Sequence, residues 1–318
     1  MAYQLISNPA SPSAVVQAIG DFLSVNGWTI ERTGNVGGER ELLIRTNHNP
    51  GDGARDYRYT LFSNTTGELS WIRVAGRTGY SGAAAWDAQP GHVAGPATSL
   101  RHTTMSRLWM FAGSGYCHFV IEVQPGYFSS GHIGVLEMAF APGAAALTGQ
   151  FQCSGVANIS GRWSQLANTP SGNLPPLVGM SSTYKSGLRL RLDTVSGAAW
   201  SGNSAPTWRS DTYQANTNIV PLQSPKSPVV LWPRPDGSRP LMPVNIYGQH
   251  DPAQSINHFL YGTIPAFRSL YFHDLAPATE FNLGGDIWMA FPVLGHNRTV
   301  QPILGNREFG MAIYKETV

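Results

Sequence analysis

Charge is scarce in this chain. Of its 318 residues only 13% are Asp, Glu, Lys or Arg, where soluble domains carry about 25%. A free monomer so poor in charge must cover itself with Ser, Thr, Asn and Gly or bury surface against other subunits. The composition favours a subunit of a large assembly over a freely diffusing enzyme. Lysine is scarcer still: Lys185, Lys226 and Lys315 stand against 18 arginines, for a net charge of +2. No basic block occurs, so the electrostatic footprint of a nucleic-acid binder is missing. The preference for Arg suits planar, bidentate contacts to carboxylates at interfaces; biased genomic base composition explains it equally well. The only cysteines, Cys117 and Cys153, cannot make a disulfide scaffold. No apolar run reaches 18 residues, so no membrane-spanning helix is expected. Neither a charged n-region nor an apolar h-region opens the sequence, so no secretory signal is expected.

Catalytic signatures are sparse as well. No G-x-S-x-G elbow is present, and no phosphate-cradling loop precedes a helix. Cys117 has His118 beside it, but neighbours in a strand point to opposite faces, which argues against a dyad. His48, Asp52 and Asp56 share one loop; His250, Asp251, His258, His273 and Asp274 cluster later. Their spacing fits neither a zinc pattern nor a calcium loop. Glu122 and Glu137 lie on adjacent candidate strands, a pairing a glycosidase would need, yet neither sits in an acid–base context. The reading is no enzyme, no cofactor and no metal.

What is abundant is turn chemistry and aromatic mass: 35 Gly, 23 Pro and 11% aromatics. One helix is signalled, in "SPSAVVQAIGDFLSVNGW". Ser11 is its N-cap and Pro12 its first residue. Val15, Ile19, Phe22 and Leu23 form an apolar stripe, and Asn26-Gly27 is the stop. The stripe must lie on a sheet. Period-two runs then follow: "WTIER", "RELLIRT", "DYRYTLF", "LSWIRVAG", "CHFVIEV", "IGVLEMAF", "SGLRLRLD" and "DIWMAFPV". Short turns are expected near 100–108 and 253–260. The predicted fold is mainly β (α+β): antiparallel, sandwich-like sheets, one N-terminal helix packed on a sheet, and long loops. A soft boundary near 142–150 divides 1–145, the helix plus a β domain, from 146–318, a second β-rich region that could complete the same core.

Two long, weakly periodic segments, 75–105 and 194–228, carry aromatics and arginines that argue against disorder. Buried interface cores are depleted in charge and enriched in Trp, Tyr and Arg. The interface candidates are therefore Arg77, Tyr80 and Trp86 in the first segment, and Trp200, Trp208, Arg209 and Tyr213 in the second. The same aromatics could instead stack on sugars.

The order of motifs adds a resemblance. A capped helix leads into "FLSVNGWTIERTG", then "GYSGAAAWDAQPG", then "HFVIEVQPGYFSSGHIGVLEM". Later come "LMPVNIYG", "LYGTIPAFRSLYFHDLAPATEFNLGGDIWMAFPV" and "GNREFGMAIYK". This succession resembles a family of virion structural proteins of tailed bacteriophages. It covers most of the chain and is weakest over 150–228. The resemblance implies a non-enzymatic virion subunit of the neck or collar, tail or baseplate. Its expected partners are other virion proteins and copies of itself in a symmetric ring or connector. It carries over no functional residue. The alternative within that setting is a module of the tail tip that binds host-surface glycan. In either case "GGDIWMAFPV" and "FGMAIYK" read as closing strands, with Trp288, Phe291, Phe309 and Ile313 filling a core.

Overall fold

A computed structural model describes residues 1–48, 55–66, 69–99, 105–125, 127–137, 149–154, 189–192, 208–210, 241–249, 258–272, 275–292 and 309–317. Within them the chain is mainly β: three antiparallel sheets and one helix.

The helix, α1 (Pro12–Ser24), forms where its caps place it. The Ser11 hydroxyl accepts from the Ala14 N–H at 3.1 Å, which satisfies one of the four donors a helix start leaves open. At the other end Gly27 adopts φ +85, and the Trp28 N–H reaches back to the Leu23 carbonyl at 3.1 Å. This closes a Schellman-type stop. Val15, Val16, Ile19, Phe22 and Leu23 are buried, each contributing ~1.5–3 kcal/mol as an upper bound.

The helix lies on sheet B, built from β2 (Thr29–Val36), β3 (Glu39–His48), β4 (Arg55–Thr66), β5 (Leu69–Arg77) and β6 (Val93–Ser99) in that order. Alternation assigns its faces. Leu42, Ile44, Tyr57, Tyr59, Leu61, Ile72 and Val74 pack under the helix. The opposite face carries Leu43, Arg45, Arg58, Thr60, Phe62 and Arg77.

Sheet A has the order β1 (Ala2–Ser7), β7 (Arg107–Gly113), β8 (Tyr116–Gln124), β9 (Tyr127–Val135), β10 (Gly149–Ser154) and β11 (Arg189–Leu192). Strands from 1–145 and from 146–318 thus share one sheet. Sheet A is covered on both faces. Leu108, Met110, Cys117, Phe119, Ile121 and Ile133 join the helix and sheet B in one core. Trp109, Phe111, Val120, Phe128 and Phe151 join a second core with sheet C.

Sheet C runs β12 (Trp208–Ser210), β13 (Met242–Gln249), β14 (His258–Tyr271), β17 (Phe309–Thr317), β16 (Asp286–Pro292) and β15 (Thr279–Leu283). It supplies Val244, Ile264, Phe267, Phe291, Met311 and Ile313 to the second core. Its other face holds a smaller cluster of Leu270, Phe272, Trp288, Ala290 and Ala312. The two closing strands do pair, with Phe291 opposite Met311; the side chain of Phe309 lies outside the described residues.

Three local readings are corrected. The segment 75–105 is not one arm, because β5 continues through Arg77 and β6 occupies Val93–Ser99. Of the turns expected near 100–108 and 253–260, residues 100–104 and 253–257 lie outside the described residues; β7 begins at Arg107 and β14 at His258. A strand read at 133–140 is centred earlier, as β9 at Tyr127–Val135. Strands β1 and β7 have no counterpart in the period-two reading. The run "RLWMFAG" is buried on both faces, and such strands lose their alternation.

Candidate functional site

Three of the interface candidates come together on the outer face of sheet B. After Arg77 the chain makes a strap, residues 78–92, and returns as β6. Its folding is set by short polar ties. Thr78 and Gly79 donate their N–H groups to the Pro90 carbonyl at 3.0 and 3.2 Å. Gln89, buried, is the hub. Its Oε1 accepts from the Ser81 N–H at 2.9 Å, and its Nε2 donates to the carbonyls of Ser81, Ala84 and Ala85. Arg32 on β2 donates to the Gly82 and Ala84 carbonyls at 3.0 and 2.9 Å and pairs with Glu41 at 2.8 Å.

Trp86 pins the strap to the sheet. Its ring stacks on Phe62 of β4 at 4.3 Å and 9°, and His92 meets it edge-on at 5.7 Å. Half-buried, Trp86 is an anchor within its own chain. Tyr80 is different: 40% exposed, it is the aromatic the strap presents outward.

Arg77 lies inside the subunit, at 0% exposure, and offers no surface to a partner. Its Nε donates to the Tyr59 carbonyl, Nη1 to Gly79, and Nη2 to Ile44 and Glu31. Burial lowers the basicity of its guanidinium and Glu31 raises it again. Register places Arg45, Arg58 and Arg77 directly opposite one another across β3, β4 and β5. Like charges so placed repel. Glu31 offsets them, accepting from Arg58 at 2.9 Å and Arg77 at 2.5 Å. Asp56 bonds Arg45 and Arg58 at 3.0 Å each. The Tyr80 ring lies 5.8 Å from the Arg77 guanidinium, so the exposed aromatic stands on a braced cation.

The other candidates do not join this cluster. Trp208 and Arg209 lie in β12 at the edge of sheet C, opposite Gly248 and Tyr247. Their side chains, and the whole of Trp200 and Tyr213, lie outside the described residues.

Among the described residues, two of the carboxylates weighed for chemistry, Glu122 and Asp56, are held in ion pairs. Glu122 bonds Arg107 at 2.7 Å, and Glu137 is exposed, bridging to Thr263 through backbone bonds. Cys117 is buried among apolar side chains that push its thiol pKa up, while His118 points to the opposite core. Asp56 is held in the arginine cluster. Asp52, His250, Asp251, His273 and Asp274, with the side chains of His48 and His258, lie outside the described residues. Among those described, no group of three or more His, Cys, Asp or Glu could hold a metal ion, and no helix is long and apolar enough to cross a membrane.

One constellation escaped the sequence. His118 on β8 and His132 on β9 are register partners, both at 0% exposure. Their Nδ1 atoms are 3.2 Å apart. His118 Nε2 lies 2.8 Å from the Pro265 carbonyl of β14, and His132 Nε2 lies 3.0 Å from the Ser130 hydroxyl. Their fourteen-residue separation carries no motif; only the β8–β9 register unites them.

No known family model matches the chain, and no curated protein matches it.

Proposed function

We propose that the chain is a non-enzymatic structural subunit of a tailed-phage virion, in the neck or collar, tail or baseplate. It acts by protein–protein assembly, with other virion proteins and with copies of itself in a symmetric ring or connector. The observation that carries this reading is the strap 78–92. It is a loop fixed by Gln89, Arg32 and Trp86 that holds one exposed aromatic, Tyr80, over a buried arginine. A rigid base lowers the ordering cost of association, and a Tyr beside an Arg is the chemistry of interface anchors. The scarcity of charge and the succession of motifs support the same reading. Glycan binding is the weaker alternative, because one face of Trp86 is taken by Phe62 and is closed to a sugar. A particle reconstruction that locates the chain tests the proposal. Tyr80 is expected at a subunit boundary, and a chain absent from particles would refute the reading.

A further inference from the structure

The hydrogen bonds around the two buried imidazoles determine where each proton sits. A carbonyl only accepts, so His118 must donate from Nε2 to Pro265. A neutral His118 then has a bare Nδ1, which accepts. His132 must donate to it from its own Nδ1 and accept at Nε2 from the Ser130 hydroxyl. Every ring nitrogen is used, and the chain of bonds crosses from β9 and β8 of sheet A to β14 of sheet C.

We propose that this Ser130–His132–His118–Pro265 chain is an acid-operated latch between sheets A and C. It joins the layers while both imidazoles are neutral and releases sheet C when they take up protons.

The chemistry of proton uptake has two stages. A first proton entering at His132 Nε2 can be relayed: the Nδ1 proton of His132 passes to Nδ1 of His118. His118 becomes the cation with both N–H groups still bonded, and Ser130 turns to accept. A second proton has no such route. It places an N–H on each of two nitrogens 3.2 Å apart, which breaks the central bond, within sheet A, and sets two cations against each other; the His118 bond to Pro265 survives both protons, so sheet C is released by the charge buried beneath it.

Only the Pro265 carbonyl favours a charge on His118, and it does not offset the burial. Phe151 of β10 and Phe267 of β14 pack on the His118 ring, and Phe267 packs edge-on against His132. Tyr116 stacks on His118 at 5.2 Å, its own ionisation pushed up by burial. Cys153 of β10 is the register partner of His132. Glu122, further along β8, is held by Arg107. Glu137 is exposed beyond β9, and Arg268 of β14 turns to Trp288 on the far face of sheet C. Among the described residues no carboxylate hydrogen-bonds either imidazole. Burial accordingly pushes the His118 pKa down to about 4, and burial with the neighbouring imidazole depresses His132 well below its ordinary value. An unfolded or opened chain binds protons below about pH 6.5 that the closed seam refuses. Closure is therefore fully favoured above that pH and is lost as pH falls toward the folded values.

The test uses the full chain. Nitrogen-15 shifts of the imidazoles at pH 7 are expected to show His118 protonated on Nε2 alone and His132 on Nδ1 alone. Hydrogen exchange is then followed from pH 7 to pH 4.5. Amides of β14, β16 and β17 are expected to lose protection before those of β3, β4 and β5. Their opening constant should rise by up to ~100-fold per pH unit, the limit for two protons. The double substitution His118→Gln and His132→Gln should flatten that rise. The opposite tautomers, a charged imidazole at pH 7, equal loss of protection in all three sheets, or no loss down to pH 4.5 would each overturn the proposal.

Discussion

Sheet A is held on its two faces by different materials. Toward sheet B the contact is a helix and mostly aliphatic side chains, with few polar links. Among the described residues they include the Tyr59 hydroxyl to the Gly134 carbonyl at 2.6 Å, the Trp28 indole to Gly113 at 3.1 Å, the Gln150 amide to the Arg58 carbonyl at 3.5 Å, and Thr46 to the Ser114 carbonyl. Toward sheet C the contact is a ring cluster. Trp109, Phe111, Phe128 and Phe291 lie with centroids 5.2 to 6.4 Å apart, and the two imidazoles lie in the same seam. Hydroxyl and indole donors keep their protons across ordinary pH, whereas imidazoles do not. One sheet is thus bonded on one side by contacts indifferent to mild acid and on the other by contacts that sense it.

The largest effects should separate the two seams with adjacent residues. Leu108 and Trp109 are neighbours on β7 and enter opposite cores. Trp109→Ala is expected to cost ~3–5 kcal/mol and Leu108→Ala ~2–5 kcal/mol in denaturant unfolding. Exchange protection should fall first in β14, β16 and β17 for the former, and in β3 to β5 and α1 for the latter. If both variants weaken all sheets equally, the seams are one cooperative unit and the contrast is only one of composition.

Acid should sharpen the same contrast. Both imidazoles are depressed in the folded state, so the unfolded chain binds more protons below about pH 6.5 and stability falls with pH from there. Each proton contributes about 1.4 kcal/mol per pH unit within the window. Unfolding free energy measured from pH 7.5 to 5 should therefore drop, and the Trp109→Ala variant should reach its limit at higher pH than Leu108→Ala. A flat profile would mean that the imidazoles pick up no more protons unfolded than folded.

The same two seams explain what the sequence disclosed. Sheet B has one face toward the core, so Tyr57, Tyr59 and Leu61 alternate with Arg58 and Thr60, and its strands β2 to β5 were readable by period two. The helix was readable from Ser11, Pro12 and Asn26-Gly27, which act within a turn of themselves. Sheet A, covered twice, hides its period. Strand β7 reads as a bare apolar run, and of β9, "YFSSGHIGV", only the last three residues fall in a period-two run. Its Gly131 leaves room for the Phe119 ring, which would lie 2.1 Å from an added Cβ, and Ser130 and His132 are polar because they continue the hydrogen-bond chain that His118 carries to Pro265 of sheet C. None of these reasons is local. The proposed assembly surface was half legible. Composition marked Arg77, Tyr80 and Trp86 together, but only cross-strand register shows that Arg77 is an internal brace.

Smaller effects concern the strap, which lies outside both seams. Trp86→Ala removes the stack on Phe62 and the edge contact with His92 while leaving the Gln89 ties. A cost of ~1–2 kcal/mol in folding is expected, since the ring is only half-buried and an aromatic pair adds about 0.5–1.5 kcal/mol beyond its area. Faster exchange should be confined to 78–92 and β4. Loss of protection at β8 or β14 would show the strap to be coupled to the seams.

Tyr80→Ala should have the smallest effect on the fold. Its side chain is 40% exposed, and its contact with Arg77 is a cation–π approach at 5.8 Å. The guanidinium keeps its bonds to Glu31, Tyr59, Ile44 and Gly79 without the ring. Folding stability should change by less than about 0.5 kcal/mol, the ordinary range for a surface substitution. Assembly should respond much more: an interface anchor of this type typically costs ~2 kcal/mol or more when truncated, about thirtyfold in association. Incorporation of the variant into particles, measured beside its thermal melt, separates the two quantities. A variant that melts like the parent but assembles poorly places a partner on the strap. A variant that melts and assembles like the parent moves the assembly surface away from Tyr80, and Trp208 and Arg209 at the edge of sheet C become the residues to substitute next.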